Sequence, residues 1–196
     1  MLASSDVTSF DQRVALRFDW KGLESFLTAR GESSATRIAY LDGHLEIMSP
    51  STSHEVYKKR IARLLEAWAE ESDVELDGYG SWTVKSKRRG AAAEADECYL
   101  VGHRAVGKRP DLVIEVNWTS GGIDKLEVWD RLEVPEVWMW TDGTIVVYRR
   151  GASGGFSRTR KSRLLPGLDL EQLARFAEEP NQVQAVKAWR ASLRAH

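Results

Sequence analysis

The run Asp111-Leu112-Val113-Ile114-Glu115-Val116 is the strongest constraint on how this chain can fold. Leu112, Val113 and Ile114 are apolar in succession, so neither face of a strand built from them can meet water. Such a strand belongs at the centre of a sheet that is covered on both sides. Glu115 then sets a carboxylate inside that covered strand, which is unfavourable unless a cation meets it. A second acid, Asp96, stands in the preceding strand-like segment, Glu94-Ala95-Asp96-Glu97-Cys98-Tyr99-Leu100-Val101. Carboxylates at the ends of adjacent apolar strands suit a hard divalent cation such as Mg²⁺, which takes oxygen ligands and shares its shell with phosphate. Asp111 lies four positions before Glu115 and points to the same sheet face. At ~3.3 Å per residue the two are ~13 Å apart, so they cannot share one ion in a regular strand. Asp111 therefore reads as a structural strand-start residue.

The rest of the chain supplies a mixed α/β (α+β) pattern around that strand. Residues 20–29 read as a helix with Trp20, Leu23, Phe26 and Leu27 on one face. Residues 37–48 read as a hairpin turned by Asp42-Gly43. Pro50 ends it, and Ser51-Thr52-Ser53 offers oxygens to the free N–H groups of a helix running to about residue 71. Residues 79–87 and 96–101 read as strands separated by a turn over 88–93. A helix over 124–132 packs through Leu126, Trp129 and Leu132, and a strand from Pro135 turns at Asp142-Gly143 into another over 144–149. Two helices close the chain, over 170–178 and 182–194. The second carries Val183, Val186, Trp189 and Leu193 on one face, to be buried on the domain or on a second copy.

Composition narrows the function classes. The 196 residues suit a single domain over 1–196, with a core over about 37–150 and a helical extension over about 168–196. Formal net charge is only −1, so bulk charge does not announce a nucleic-acid partner and any DNA surface must be a local patch. The lone Cys98 excludes an internal disulfide and a cysteine-cluster zinc site, and its apolar strand implies a buried, inert thiol. No apolar run approaches the ~20 residues that span a bilayer, and residues 1–6 lack the signature of a signal peptide. The expectation is a soluble, cytoplasmic protein with no membrane partner.

Three segments carry a resemblance. They are Leu41-Asp42-Gly43-His44-Leu45-Glu46-Ile47-Met48-Ser49-Pro50-Ser51 with His54 just beyond; Glu94-Ala95-Asp96-Glu97-Cys98-Tyr99; and Pro110 to Val116 followed by Asp124-Lys125-Leu126 and Val134-Pro135-Glu136-Val137-Trp138. Over roughly residues 13–167 the chain resembles the Uma-type family of restriction-endonuclease-like proteins in the PD-(D/E)XK nuclease superfamily. The resemblance implies a restriction-endonuclease-like core: a mixed central sheet flanked by helices, with an N-terminal helix and β-hairpin and C-terminal helices. It also implies a DNA-cutting site that uses Mg²⁺, or Mn²⁺ in its place, built on Asp96, Glu115 and Lys125 with Glu46 beside them. The main-chain carbonyl of Val116 is expected as a further metal ligand. A homo-oligomer, most simply a dimer, is expected. The chain departs from the family at Ala95, where a proline is usual. In the superfamily's plain pattern the lysine stands two places after the acid, where this chain has Asn117; the family pattern moves it to Lys125.

Each candidate has a plainer reading. Asp96 could be a solvated strand-start carboxylate, Glu115 a salt-bridged one, and Lys125 a first-turn residue in water. Glu46 alternates with Leu45 and Ile47 and could face solvent; His54 could simply cap a helix. The basic turn Lys85, Lys87, Arg88, Arg89 could track a phosphate backbone or form a solvated tip, and the same holds for Lys58, Lys59 and Arg63. Two other functions stay open: a catalytically inactive module of the same fold that binds DNA or protein, and a structural partner that oligomerises through some of its eight tryptophans, Trp118 among them.

Overall fold

The computed structural model describes residues 11–31, 33, 35–102, 105–116 and 122–195. The strands are β1 (Gln12–Arg17), β2 (Arg37–Leu41), β3 (His44–Ser49), β4 (Leu76–Gly78), β5 (Thr83–Ser86), β6 (Ala91–Glu94), β7 (Glu97–Val101), β8 (Leu112–Val116), β9 (Glu136–Thr141), β10 (Thr144–Arg150) and β11 (Phe156–Thr159). The helices are α1 (Trp20–Arg30), α2 (Thr52–Glu71), α3 (Lys125–Arg131), α4 (Leu170–Ala177) and α5 (Gln182–Arg194).

The strands form two sheets. One is antiparallel with order β1-β3-β2-β6-β5; the other has order β11-β10-β9-β8-β7-β4 and is mixed, because β8 and β9 run parallel. The order follows from the turns. Asp42-Gly43 and Asp142-Gly143 both take positive φ at both positions, which matches the twist of a tight hairpin and closes β2–β3 and β9–β10. β8 and β9, being parallel, need a crossover, and α3 supplies it. As its apolar run requires, β8 is buried along its whole length. Leu112, Ile114 and Val116 face a core shared with α2, α4 and α5. Val113 faces the other way, into a core with Val128 and Trp129 of α3 and Val84, Ala91 and Ala93 of the antiparallel sheet. α3 thus lies between the two sheets, and α1 closes the outer face of the antiparallel one through Leu23 against Ile38, Tyr40 and Leu45.

Three expectations need correction. The turn expected over 88–93 is a short 3-10 turn, Lys87–Arg89, followed by strand β6. Alanine has low β propensity, but Ala91, Ala92 and Ala93 are fully buried, and their small size suits a layer packed on both sides. The strand expected over 79–87 covers only Thr83–Ser86, and β1 and β11 gave no clear alternation because their residues are mostly exposed. Val183, expected on the buried face of α5, is 52% exposed, while Ala185 of that helix is buried.

The rest of the α5 stripe docks on the chain itself rather than on a second copy. Trp189 is fully buried and donates from Nε1 to the Leu64 carbonyl at 2.8 Å. Of the other described tryptophans, Trp129, Trp138 and Trp140 are fully enclosed, Trp68 is buried, and Trp20 and Trp82 are half-buried. Trp118 lies outside the described residues. Among the described residues no helix is long and apolar enough to cross a membrane. Cys98 is fully buried and donates to the Gly80 carbonyl; burial pushes its pKa up to about 12, so the thiol is inert at neutral pH. Trp189→Ala should remove about 3–5 kcal/mol of stability, the usual range for a buried aromatic. Urea unfolding checks this, and a loss below about 1 kcal/mol would mean that α5 does not stabilise the domain.

Candidate active site

Asp96 stands where the chain leaves one sheet for the other, between the end of β6 and the start of β7. The β7–β8 register pairs Glu97 with Ile114, so one step further Asp96 lies across from Glu115. Both are 1% exposed. Asp96 Oδ2 accepts the Val116 N–H at 2.9 Å. Its Oδ1 lies 3.0 Å from Nε2 of His54 and 3.8 Å from Nε of Arg37. Oδ1 and His54 Nε2 are at contact distance, yet neither makes a well-directed hydrogen bond.

Glu115 is held from the side of α3. Its Oε2 accepts from Lys125 Nζ at 2.5 Å and its Oε1 from Trp129 Nε1 at 2.8 Å. Asp124 makes this possible: its Oδ1 accepts the Leu126 and Glu127 N–H groups, which fixes the start of α3 and puts Lys125 in its first turn. Lys125 is 5% exposed, so it is not the solvated first-turn residue of the plain reading.

The charges follow from burial and neighbours. Burial alone would raise the Asp96 carboxyl, but His54, Lys125 and the Val116 N–H outweigh it and hold the group well below the ordinary carboxylate range. For Glu115 burial wins: despite Lys125, desolvation with the help of the Asp96 charge pushes its pKa up to about 7. Burial would lower the Lys125 ammonium, yet Glu115 and Asp96 overcome this and raise it. Burial would likewise lower His54, and its two acidic neighbours raise it.

His54 does more than cap a helix. Its backbone N–H does bond the Ser51 side chain, but its ring is fully buried between Asp96 and Asp11, with Nδ1 3.1 Å from Asp11 Oδ2. Asp11 also accepts the Ser51 N–H at 2.8 Å and so holds the start of α2. Asp11, Arg37 and Trp129 carried no sequence signal for this site. They are distant in the chain and joined only by folding, although a buried tryptophan four places after Lys125 shares its helix face.

Glu46 does not face solvent. The register aligns it with Ala39, Ala93 and Val84 across the antiparallel sheet, on the face that meets α3. Its partners are Arg13, 3.4 Å away, and the Ile123 N–H. It lines a cavity of about 780 Å³ with His44, Gly122 and Ile123. Gly122 lets the chain pass close to Glu46: a Cβ would come 2.0 Å from Oε2, so any side chain there would push the Glu46 carboxylate aside. Glu46 thus touches the segment leading into Lys125. That segment, expected over 119–123 to fold back over the strand end, lies outside the described residues except for Gly122 and Ile123, as does Asn117. Asp111 stays at the far end of β8, where Oδ2 accepts the Val101 N–H at 3.0 Å.

The structure therefore brings Asp96, Glu115, Lys125 and the Val116 backbone into one buried cluster and leaves Glu46 on Arg13 and on the Ile123 N–H, two residues before Lys125. Among the described residues, no three or more His, Cys, Asp or Glu side chains gather as a metal site. Two all-oxygen carboxylates and the ill-directed Asp96 Oδ1 still suit one kind of ion. That is a hard cation that takes oxygen donors, the kind of divalent ion that restriction-endonuclease-like proteins use.

The family model described as "Uma2: Putative restriction endonuclease" matches residues 23–178, and the chain belongs to that family. No curated protein matches the chain. A crystal structure described as "a putative nuclease belonging to DUF820 from Anabaena variabilis ATCC 29413" is similar at 13% identity, over 86% of this chain and 98% of that chain, with a TM-score of 0.48.

The cluster has a pH signature. Glu115 and His54 hold protons more tightly folded than unfolded, so their contribution is present at low pH and lost as pH rises through their folded pKa values. For Glu115 that window runs from 4.5 to about 7. The metal-free protein should lose several degrees of thermal midpoint between about pH 5 and about pH 8, and Glu115→Gln should flatten that fall. A Glu115→Gln profile as steep as that of wild type would place the titrating group elsewhere.

Proposed function

We propose that this chain is a metal-dependent endonuclease that hydrolyses phosphodiester bonds in DNA. The observation that carries the reading is the pairing of Asp96 with Glu115 across β7–β8, with the buried Lys125 ammonium on Glu115. Asp96 and Glu115 would hold Mg²⁺, with the Val116 carbonyl as a further ligand and Mn²⁺ as a substitute. The ion's chemistry there is to acidify water and to offset charge on a phosphate.

The chain's own groups do the positioning. His54 and the Val116 N–H fix the Asp96 carboxylate, and Trp129 fixes one Glu115 oxygen and leaves the other to Lys125. Lys125 supplies a permanent positive charge beside the reacting phosphate, where it steadies the developing negative charge. The low dielectric of the layer between the sheets strengthens that effect. Glu46, paired with Arg13 and bonded to the Ile123 N–H, would steady the segment that leads into Lys125.

One observation favours a second reading. In the metal-free cluster Lys125 neutralises Glu115, which is also how an inactive binding module of this fold would settle its buried charges.

Cleavage of plasmid DNA separates the two. Wild type should nick or cut with Mg²⁺ or Mn²⁺ and do little with Ca²⁺, which is larger and coordinates more loosely. Glu115→Gln should abolish cutting in protein that is destabilised but still folded by circular dichroism, and Lys125→Ala should slow it by about 100-fold or more, typical for loss of a charge-stabilising donor. Cutting by Glu115→Gln at the wild-type rate would locate the activity elsewhere, and a wild type inert with every divalent ion would hand the case to the binding module.

A further inference from the structure

Away from the carboxylates the fold builds a second charged feature. A cleft of about 620 Å³ opens between β5, the loop before β8 and the C-terminal end of α3. Six cations line it, Lys85, Arg88, Arg89, Lys108, Arg109 and Arg131, against two acids, Asp111 and Glu133. In a chain of net charge −1 this is a strong local concentration of positive charge. Among the described residues Lys85, Arg88 and Lys108 have no salt-bridge partner and are exposed, so their charge is available to a ligand.

The cleft is rigidly made. The Lys87–Arg89 turn ends at Gly90, whose φ of 60° places it in the left-handed region and whose missing Cβ would otherwise lie 2.4 Å from Asp42 Oδ1. The Asp42 N–H donates to the Gly90 carbonyl at 2.9 Å. Arg131 bonds Asp42 at 2.6 Å, and Arg89 Nη1 donates to the Arg131 carbonyl at 2.7 Å while Arg131 donates back to the Arg89 carbonyl. The basic turn is therefore fastened to the β2–β3 hairpin and to α3, and is not a solvated tip. Binding an anion there would order the exposed Lys85, Arg88 and Lys108 side chains on a backbone turn that is already fixed.

We propose that this cleft is a binding track for the phosphate backbone of nucleic acid, separate from the carboxylate cluster. The inference rests on the reading of the chain as a protein that acts on DNA. Among its described lining residues none is aromatic, so it offers no ring for a base to stack on, and its chemistry is that of phosphate contact without sequence reading. Asp111 on its rim stands at one end of β8 and Glu115 at the other, ~13 Å apart. At ~3.4 Å of axis per phosphate along one strand, that distance is about four phosphates of a duplex. The cleft would grip the backbone beyond the phosphate that meets the cluster.

The test is fluorescence anisotropy with a short labelled DNA duplex in Ca²⁺, titrated at several salt concentrations. Lys85→Gln/Arg88→Gln should bind roughly tenfold or more weakly at about 0.1 M salt, with a salt slope shallower by about 1.8, the loss of two phosphate contacts. The pair Lys21→Gln/Lys187→Gln, exposed on α1 and α5, should leave both quantities unchanged. Unchanged affinity and slope in the cleft variant overturn the inference, and they leave the nuclease reading standing if the wild type cuts. A wild type that cuts nothing but loses binding through the cleft variant keeps the inference and ends the nuclease reading. Failure of the wild type to bind the duplex, or binding only to vesicles rich in anionic lipid, overturns the inference.

Discussion

The structure turns on a buried carboxylate in the middle of its mixed sheet. Glu115 is 1% exposed, between two cores, and a charge there is tolerable only with partners in contact. Lys125 and Trp129 are those partners, and both belong to α3. The dependence is mutual, because Lys125 is itself buried and has its counter-charge in Glu115. Removing one member would leave the other an uncompensated buried charge, a loss of about 3–5 kcal/mol in comparable pairs. The helix between the sheets is thereby pinned at its start by β8, and at its end by Arg131 on the Asp42 turn.

That pinning decides where the rest can go. With α3 fixed, the antiparallel sheet packs its alanine-rich strand against Val128 and Trp129, and the chain must cross from that sheet to the mixed one at Ala95-Asp96. The crossing delivers Asp96 to the Val116 N–H and to His54, which reaches it from α2 and is braced from behind by Asp11. Six segments of the chain meet at one cluster, and each buried charge in it has an opposite charge within reach. Holding the two like-charged carboxylates together costs stability, and the Asp96 charge helps to raise the Glu115 pKa.

Much of this was legible in the chain. The triple apolar run gave the central strand because no other placement buries both faces, and Glu115 stood out because its neighbours left it no water. The two Asp-Gly turns gave both hairpins for a reason intrinsic to their φ angles. Lys125 could be nominated but not placed, since its reach depends on the packing of α3. His54 looked like a cap because its capping bond is local, whereas its two acidic contacts span 42 residues to Asp96 and 43 to Asp11 and exist only in the folded chain. The alanine strand was misread because propensity speaks for exposed, isolated strands and gives way to the demand for small residues between packed layers. Glu46 was ambiguous because alternation shows that it faces away from Leu45 and Ile47, and not which side of the sheet is wet.

The central claim is that Asp96 and Glu115 together hold a divalent cation. Anomalous diffraction from crystals soaked in Mn²⁺ near pH 8, above the pKa of Glu115, tests it most directly. The account predicts one strong peak in contact with both carboxylates, with Lys125 displaced from its direct bond to Glu115 or sharing it. A peak at other acidic residues, or none at saturating Mn²⁺ with the Lys125–Glu115 pair intact, would contradict it.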